Sequence, residues 1–545
     1  MTGTVPPGLS APAGSSAVYL TGSWRTERPV YMSLLPPCSA ACPAGEDIQA
    51  WLYEAQEAGE GYERAWRKLT VENPLPAIMG RVCYHPCQTA CNRVQLDEMV
   101  GINAVERFLG DLAITRDWQF EAPNAGLLSG KRVLVIGSGP AGLSAACHLR
   151  CLGHEVTVRE AKEEIGGMLR YGIPQYRLPR DVIDSEVARI GRIGVVFEPG
   201  RRVDDLDSAA AEFDATVVCV GAGVGHHVSI PAGSAAKVLD AVNLLEETAA
   251  GSPPLLGRRV AIYGGGNTAM DAARTAKRLG AEDAVIIYRR TREQMPANEE
   301  EYRDAISEGI RVKWLSTISE VDQGRIVIER MELDASGHPQ PTGIFDQVEA
   351  DTVVLAIGQD ADLDIIQGVA GIQVDDGVID LDSHMMTGRR GVFAAGDAAP
   401  GDRTATVAVG QGKLAARNVD AFLRSRDYLA PPREAQATFD RLNTWYYADA
   451  PLQQRPALEA ARRTSGFEEV VQGLSEESAL FEARRCMSCG NCFECDNCYG
   501  VCPDDVIRKL GHGDKYLINL DYCKGCGICA AECPCGCIEM VPEDR

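Results

Sequence analysis

Residues 131–161 read KRVLVIGSGPAGLSAACHLRCLGHEVTVREA. An apolar strand over residues 133–136 runs into Gly137-Ser-Gly139-Pro140-Ala141-Gly142, and a helix follows. The first glycine allows the tight turn, the second lets the backbone approach a pyrophosphate, and the third lets the helix pack on the strand. The helix start turns its free N–H groups and positive dipole toward the phosphates. A second strand, residues 155–159, ends at Glu160, 18 residues after Gly142, where a carboxylate can accept ribose hydroxyls. The glycines alone would be a weak signal. With strand, helix and acid in place they predict a dinucleotide site.

Residues 258–290 repeat the pattern as RRVAIYGGGNTAMDAARTAKRLGAEDAVIIYRR. Here Gly264-Gly265-Gly266-Asn267-Thr268-Ala269 follows the strand 260–263, and the ribose-end position holds Arg289-Arg290 instead of an acid. Guanidinium groups bind a 2′-phosphate that a carboxylate would repel, so this site is read as one for NADP(H). The rival reading is a solvated strand end. Opposite ribose-end chemistry argues for two different nucleotides, and FAD is assigned to the first site. A third element, GVFAAGD over residues 391–397, is a strand ending in Gly396-Asp397 that would bring a carboxylate to the flavin side. Strands 215–220 and 352–357 end in Gly221 and Gly358, and are read as the exit from the FAD unit and the return to it. The flavin-side segment GGMLRYGIP, residues 166–174, holds no Cys, so a dithiol reductase is disfavoured. Cys147 and Cys151, four apart on the first helix, are read as packing residues.

Around these units lies a chain of 545 residues, long enough for three to five domains at roughly 100–200 residues each. Its 45% hydrophobic and 24% charged residues are ordinary for a globular protein. A formal net charge of −23 disfavours any function built on phosphate-backbone contacts. The first twenty residues show no basic segment followed by an apolar one, and no apolar run approaches a membrane span. A reducing, cytoplasmic location is therefore the expectation, and clustered Cys there reads as metal-binding or redox-active. Twelve of the 20 cysteines lie from Cys486 onward, five between Cys38 and Cys91, and only Cys147, Cys151 and Cys219 in the long middle.

The tail carries Cys492-x-x-Cys495-x-x-Cys498-x-x-x-Cys502-Pro and Cys523-x-x-Cys526-x-x-Cys529-x-x-x-Cys533-Pro. A CxxCxxC loop presents three thiolates to one [4Fe–4S] cube, and the Cys before Pro reaches the other cube in two-cluster ferredoxins. The predicted sets are Cys492, Cys495, Cys498 and Cys533 for one, and Cys502, Cys523, Cys526 and Cys529 for the other. Zinc sites use two CxxC knuckles, not tandem triplets closed by Cys-Pro. The N-terminal Cys38, Cys42, Cys83, Cys87 and Cys91 suffice for one cluster with a thiol to spare, and their spacing alone does not select the ligands.

From residue 35 to 423 the chain resembles the glutamate synthase small-subunit family of FAD- and NADP-binding oxidoreductases. That family is related to the electron-entry half of dihydropyrimidine dehydrogenase. The resemblance rests on CSAACPAGEDI, GRVCYHPCQTAC, INAVERF, GGMLRYGIPQYRLPR, YGGGNTAMD, YRRTREQMPA and GVFAAGD, in family order. It implies an α/β fold with two Rossmann-like dinucleotide-binding domains, the NADP domain inserted in the FAD domain, behind an N-terminal helical iron–sulfur domain. The tail adds a bacterial ferredoxin-like α+β domain. The boundaries read as a flexible tail 1–30, an iron–sulfur domain 31–125 and a first FAD-domain segment 126–235. The NADPH domain 236–350, a second FAD-domain segment 351–428, a helical connector 429–485 and the ferredoxin domain 486–545 follow. The resemblance places Gly167, Met168, Leu169 and Thr406 at the flavin. It implies that one N-terminal cluster takes Cys42, Cys83, Cys87 and Glu106. The other takes Cys38, Cys91 and a CxxC which the family carries upstream and this chain lacks there. EARRCMSCG, with Cys486 and Cys489, is expected to supply that pair from the far end of the chain. Sixteen ligand positions are thereby filled, and Cys147, Cys151, Cys219, Cys535 and Cys537 remain spare. Arg159 departs from the apolar residue usual before the ribose acid.

The expected function is electron transfer between NADP(H) and a partner through FAD and four clusters, with no acid–base residue required. Expected partners are a catalytic subunit such as a 2-oxoacid:ferredoxin oxidoreductase, a dissimilatory reductase, or free ferredoxin, in a hetero-oligomer. The alternatives are a glutamate synthase small subunit serving its large subunit, and a non-turnover redox scaffold.

Overall fold

The computed structural model describes residues 19–543 apart from 122–127, 227, 229 and 234–236. Strand Arg132–Ile136 forms the centre of a five-stranded parallel sheet. Its order is Val392–Ala394, Ala215–Val218, Arg132–Ile136, Glu155–Arg159, Val196–Glu198. The central strands are buried on both faces, which is why they read as nearly continuous apolar runs. Register sets Ile136 opposite both Arg159 and Val218, so the strand ends that carry Gly137, Glu160 and Cys219 finish level. Helix Pro140–Cys151 starts directly from the glycine turn, with Pro in its first turn. Helix Ala405–Leu423 lies across it, and Gly412 allows the approach: a Cβ there would stand 2.2 Å from the Ala141 carbonyl oxygen.

The second sheet is also parallel, in the order Arg311–Lys313, Asp283–Ile287, Arg259–Tyr263, Thr352–Leu355, Val238–Asp240. Thr352–Leu355 therefore does not return the chain to the FAD unit, as its Gly-terminated pattern suggested. It is a fully buried strand of the second sheet, paired on both edges. The crossing back is made by Gln359–Asp360, antiparallel to Val224–Gly225. An antiparallel meander, Ser316–Asp322, Arg325–Leu333 and Pro339–Glu349, is attached to this unit.

The N-terminal region is helical as read: Ile48–Ala55, Glu60–Thr70, Pro76–Val82 and Ile102–Thr115 enclose Trp51, Trp66 and Tyr62. Helices Pro76–Val82 and Ile102–Thr115 meet through Gly80 and Gly110. A Cβ at these positions would stand 2.4 Å from the Arg107 Cα and 2.3 Å from the Ala77 nitrogen. That contact brings Cys83, just past the first helix, beside Glu106 on the second.

Two expectations about the ends need correction. Glu27–Tyr31, within the segment read as a loose tail, is a strand antiparallel to Ile538–Pro542, the last strand of the chain. Pairing satisfies backbone groups that a short polar stretch could not satisfy alone. Residues 1–18 lie outside the described residues. The connector 429–485 is mostly irregular and holds only the short helices Ala460–Arg463 and Glu476–Arg484 and two 3₁₀ turns. Pro431, Pro432, Pro451 and Pro456 interrupt any longer helix.

Candidate flavin cleft and thiol cavities

At the level strand ends lies a cleft of about 600 Å³. Gly137, Gly139, Pro140, Ala141, Glu160, Gly167, Met168, Leu169, Gly396 and Asp397 line it. Gly137 has φ +101, and a Cβ there would stand 2.3 Å from the Cys219 carbonyl oxygen. At Gly142, away from the cleft, a Cβ would stand 2.0 Å from the Gly137 carbonyl oxygen, whereas Gly139 faces open space. This is the cradle a pyrophosphate needs: two glycines close the turn and the third leaves room above free helix N–H groups. Glu160 is buried, and its Oε2 accepts the Ser138 N–H at 2.9 Å and Oγ–H at 2.6 Å, fixing the carboxylate at the cleft wall. Burial raises the Asp397 carboxyl above the usual range, with Arg403 opposing. Among the described residues that carboxylate has no hydrogen-bond partner. Arg159 is held by Glu198 and Glu212, each at 3.0 Å, and lies over the Phe213 ring at 5.4 Å. The unusual residue is thus neutralised within the wall.

From the second unit, Asn267 and Thr268 reach the same cleft, while Gly264, Gly265, Gly266 and Ala269 build the turn behind them. Gly264 packs so that a Cβ would stand 2.0 Å from the Ala356 carbonyl oxygen, and Gly266 is open. Arg289 and Arg290 stand off the cleft at the end of Asp283–Ile287. Arg289 is exposed, the Arg290 Nε has no hydrogen-bond partner, and neither makes an ion pair among the described residues. Neighbouring Arg292, in contrast, is paired with Glu299. The two units are clamped by Arg177, which bonds Asp271 at 2.7 Å and Glu301 at 2.5 Å. Of the cysteines only Cys219 lines the cleft; Cys147 and Cys151 do not.

The remaining cysteines gather into small cavities. Cys42, Cys83, Cys87 and Glu106 line one, together with Thr406 and Glu46. Cys38, Cys91, Cys486 and Cys489 line a second. The structure thus brings the pair from the far end of the chain to the N-terminal thiols. Cys502, Cys523, Cys526 and Cys529 line a third. Cys492, Cys498 and Cys533 pack in one side-chain cluster together with Cys502, Cys523 and Cys529 of that third cavity, and Cys495 lies near Cys492 and Cys533. Burial pushes the Cys83 and Cys486 thiols up to about 12, adjacent acidic groups adding to it: Glu106 for Cys83 and the Cys489 thiol for Cys486. Cys38 is raised as well, by burial and then by Cys486, Cys91 and Cys489. Buried thiols in such company ionise only against a local cation, which fits iron–sulfur ligation.

Glu46 was not anticipated. It follows Cys42 by four residues, is buried, and shares the Asn73 amide with Glu106: Nδ2 donates to Glu46 Oε1 at 2.9 Å and Glu106 Oε1 at 2.8 Å. The other Glu46 oxygen accepts the Trp51 Nε1–H at 3.2 Å. Burial pushes its carboxyl up to about 7 and raises that of Glu106 well above the usual range, helped there by Glu46. The only trace in sequence is CPAGE itself.

Thr406 does not line the cleft directly. It faces the first thiol cavity while its neighbours Thr404 and Ala405 face the cleft. Likewise Val82 and Tyr84 line the cleft and Cys83 lines the cavity. One thickness of backbone separates the two sites.

Residues 131–412 match the family of pyridine nucleotide-disulphide oxidoreductases, and residues 31–118 match dihydropyrimidine dehydrogenase domain II, 4Fe-4S cluster. The chain belongs to the pyridine nucleotide-disulphide oxidoreductase family. Within this family it is of the glutamate synthase small-subunit-like kind. It is 35% identical over 504 residues to NADP(+)-dependent formate dehydrogenase subunit beta of Moorella thermoacetica, covering 83% of this chain and 70% of that one. It is 32% identical over 519 residues to NADPH-Fe(3+) oxidoreductase subunit beta of Geobacter sulfurreducens, covering 83% and 75%. Putative oxidoreductase YgfK of Escherichia coli is 31% identical over 548 residues, 95% of this chain and 50% of that one. The protein is an NAD(P)H-dependent FAD oxidoreductase with a 4Fe-4S domain. Among the described residues no helix is long and apolar enough to cross a membrane.

Proposed function

We propose that this oxidoreductase carries electrons between NADPH and the catalytic subunit of a complex, through FAD and four [4Fe–4S] clusters. When bound, the flavin exchanges hydride with nicotinamide and single electrons with iron–sulfur clusters. Gly137, Gly139 and the helix start at Pro140 hold its pyrophosphate, Glu160 its ribose, and Asp397 the ribityl side. Asn267 and Thr268 hold the second nucleotide, and Arg289 and Arg290 select the 2′-phosphate. Cys42, Cys83, Cys87 and Glu106 hold the cluster beside the flavin. Cys38, Cys91, Cys486 and Cys489 hold the next, and the two ferredoxin sets lead outward.

The observation that carries this reading is the shared wall. Peptide 82–84 and the start of helix Ala405–Leu423 face the nucleotide cleft on one side and a thiol cavity on the other. From there Cys489 and Cys492, three residues apart, join an N-terminal cavity to the ferredoxin region. The relatives named as beta subunits support a partner that does the substrate chemistry. The segment 486–545 carries ten acidic against five basic residues, suiting a basic docking face.

Anaerobic protein mixed with NADPH and a viologen dye is expected to reduce the dye rapidly, and to contain about sixteen irons and one FAD per chain, at four irons per cluster. No dye reduction would leave a structural scaffold as the better reading. About twelve irons would remove the cluster shared between the chain ends.

A further inference from the structure

Two cysteines of the ferredoxin region are left over by the four ligand sets, and both touch a ligand. In Cys533-Pro-Cys535-Gly-Cys537, the Cys533 Sγ lies 3.7 Å from the Cys535 Sγ and 3.6 Å from the Cys537 Sγ. The three sulfurs lie within 4.8 Å of one another, and all three residues are buried. The turn that makes this possible contains Gly536 at φ +65, where a Cβ would stand 2.3 Å from the Arg441 carbonyl oxygen. It folds residue 537 back toward residue 533. Protein ligands approach a [4Fe–4S] cube from outside, one at each corner, so sulfurs on different corners do not touch. A thiol in contact with Cys533 therefore stands beside that corner without being one of the cube's four assigned ligands.

The two extra thiols are not equivalent. Cys537 is grouped with Cys492 and Cys498 around the Tyr31 hydroxyl, and Cys492 is its neighbour as well. It therefore faces the interior of the ferredoxin site. Cys535 is the first acidic neighbour of Tyr447, which also faces Cys486 and Cys489, and the Cys535 carbonyl accepts the Gly490 N–H at 2.7 Å. It faces the wall between two cavities.

We propose that Cys537 is a reserve ligand for the iron corner assigned to Cys533. This inference rests on the four-cluster reading above. Exchange breaks the iron–thiolate bond to Cys533, forms one to Cys537, and passes the Cys537 proton to the departing thiolate. No oxidation state changes. The corner is thereby insured against loss or modification of one thiol. Cys495, an exposed ligand on another corner of the same cube, has no such substitute in sulfur contact.

The test uses the full chain prepared anaerobically, with iron and sulfide counts, electron paramagnetic resonance and FAD content. Cys533→Ala is expected to keep the wild-type iron count and a four-iron spectrum. Cys533→Ala with Cys537→Ala, and Cys495→Ala alone, are expected to lose one to four irons and to show a three-iron signal. Cys533→Ala with Cys535→Ala should match Cys533→Ala. FAD at the wild-type ratio marks a folded chain. Should alanine at 533 lower the FAD ratio, Cys533→Ser replaces it, and an all-thiolate spectrum is expected only while Cys537 is present. Iron loss in the Cys533 variant equal to that of the double variant overturns the proposal, as does dependence on Cys535 in place of Cys537. A wild-type count near eight irons would instead overturn the four-cluster reading.

Discussion

At the scale of single residues, unpaired charge is the informative feature. Most arginines of the second nucleotide unit are ion-paired, with Arg274 and Arg278 both held by Glu308. Arg289 and Arg290 are not, and they stand where a 2′-phosphate is expected. Losing a charged hydrogen bond costs about 1.5–3 kcal/mol, about ten- to hundredfold in KM. Arg289→Ala with Arg290→Ala is expected to raise KM for NADPH by that factor and leave KM for NADH nearly unchanged; equal loss for both would count against the assignment. A second residue reports on pH. His154 is fully buried between the Ser129 Oγ at 2.7 Å and the Asp420 carboxylate at 3.0 Å. Burial outweighs Asp420 and holds its pKa below the ordinary imidazole value of 6.5. The unfolded chain therefore takes up the proton first, and stability that is complete above that value is lost as pH falls through it. Melting temperatures from pH 7.5 down to 5.5 should fall less steeply in His154→Gln than in the parent.

At the scale of elements, helix Glu476–Arg484 shows how Cys486 and Cys489 are brought to the N-terminal thiols. Arg485, next to Cys486, is 2% exposed. It bonds Glu482 at 3.0 Å and the carbonyls of Met99, Glu98 and Ala450 at 2.7, 2.8 and 3.1 Å. Glu482 in turn accepts the Gly101 N–H at 2.7 Å. The pair pins the end of this helix onto the loop that precedes Ile102–Thr115. Arg485→Ala leaves Glu482 buried without its partner, at a cost of about 3–5 kcal/mol. Calorimetry is expected to show that destabilisation, and iron counting a loss of up to about four irons with FAD retained. Full iron in the variant would mean that Cys486 and Cys489 ligate nothing or are held by other contacts.

At the scale of the molecule, the N-terminal and C-terminal regions of the described chain meet at several places. Glu27–Tyr31 pairs with Ile538–Pro542, and Cys486 and Cys489 join Cys38 and Cys91. Cys91→Ala and Cys489→Ala, 398 positions apart in sequence, are expected to remove the same iron signal from the resonance spectrum. Two different signals would separate the residues into different sites. Cys151→Ala, outside the cleft and the thiol cavities described, should leave all signals in place.

Both glycine turns, Glu160, the arginine pair and the tandem ferredoxin spacing were legible without coordinates. Each is a local pattern in which a few adjacent residues must satisfy one geometric demand. Cys486 and Cys489 were legible only as a displaced motif, because nothing in EARRCMSCG states which distant cavity it completes. Strand 352–355 was misassigned because a buried parallel strand has the same apolar composition in either sheet, and only backbone pairing distinguishes them. Glu46 was invisible because its role depends on Asn73 and Glu106 converging on it from other elements. The sequence by itself thus determined the cofactor chemistry and the order of units. Only the folded chain shows which thiols share a cavity and that one backbone thickness separates the nucleotide cleft from a thiol cavity, since both depend on contacts between residues far apart in the chain.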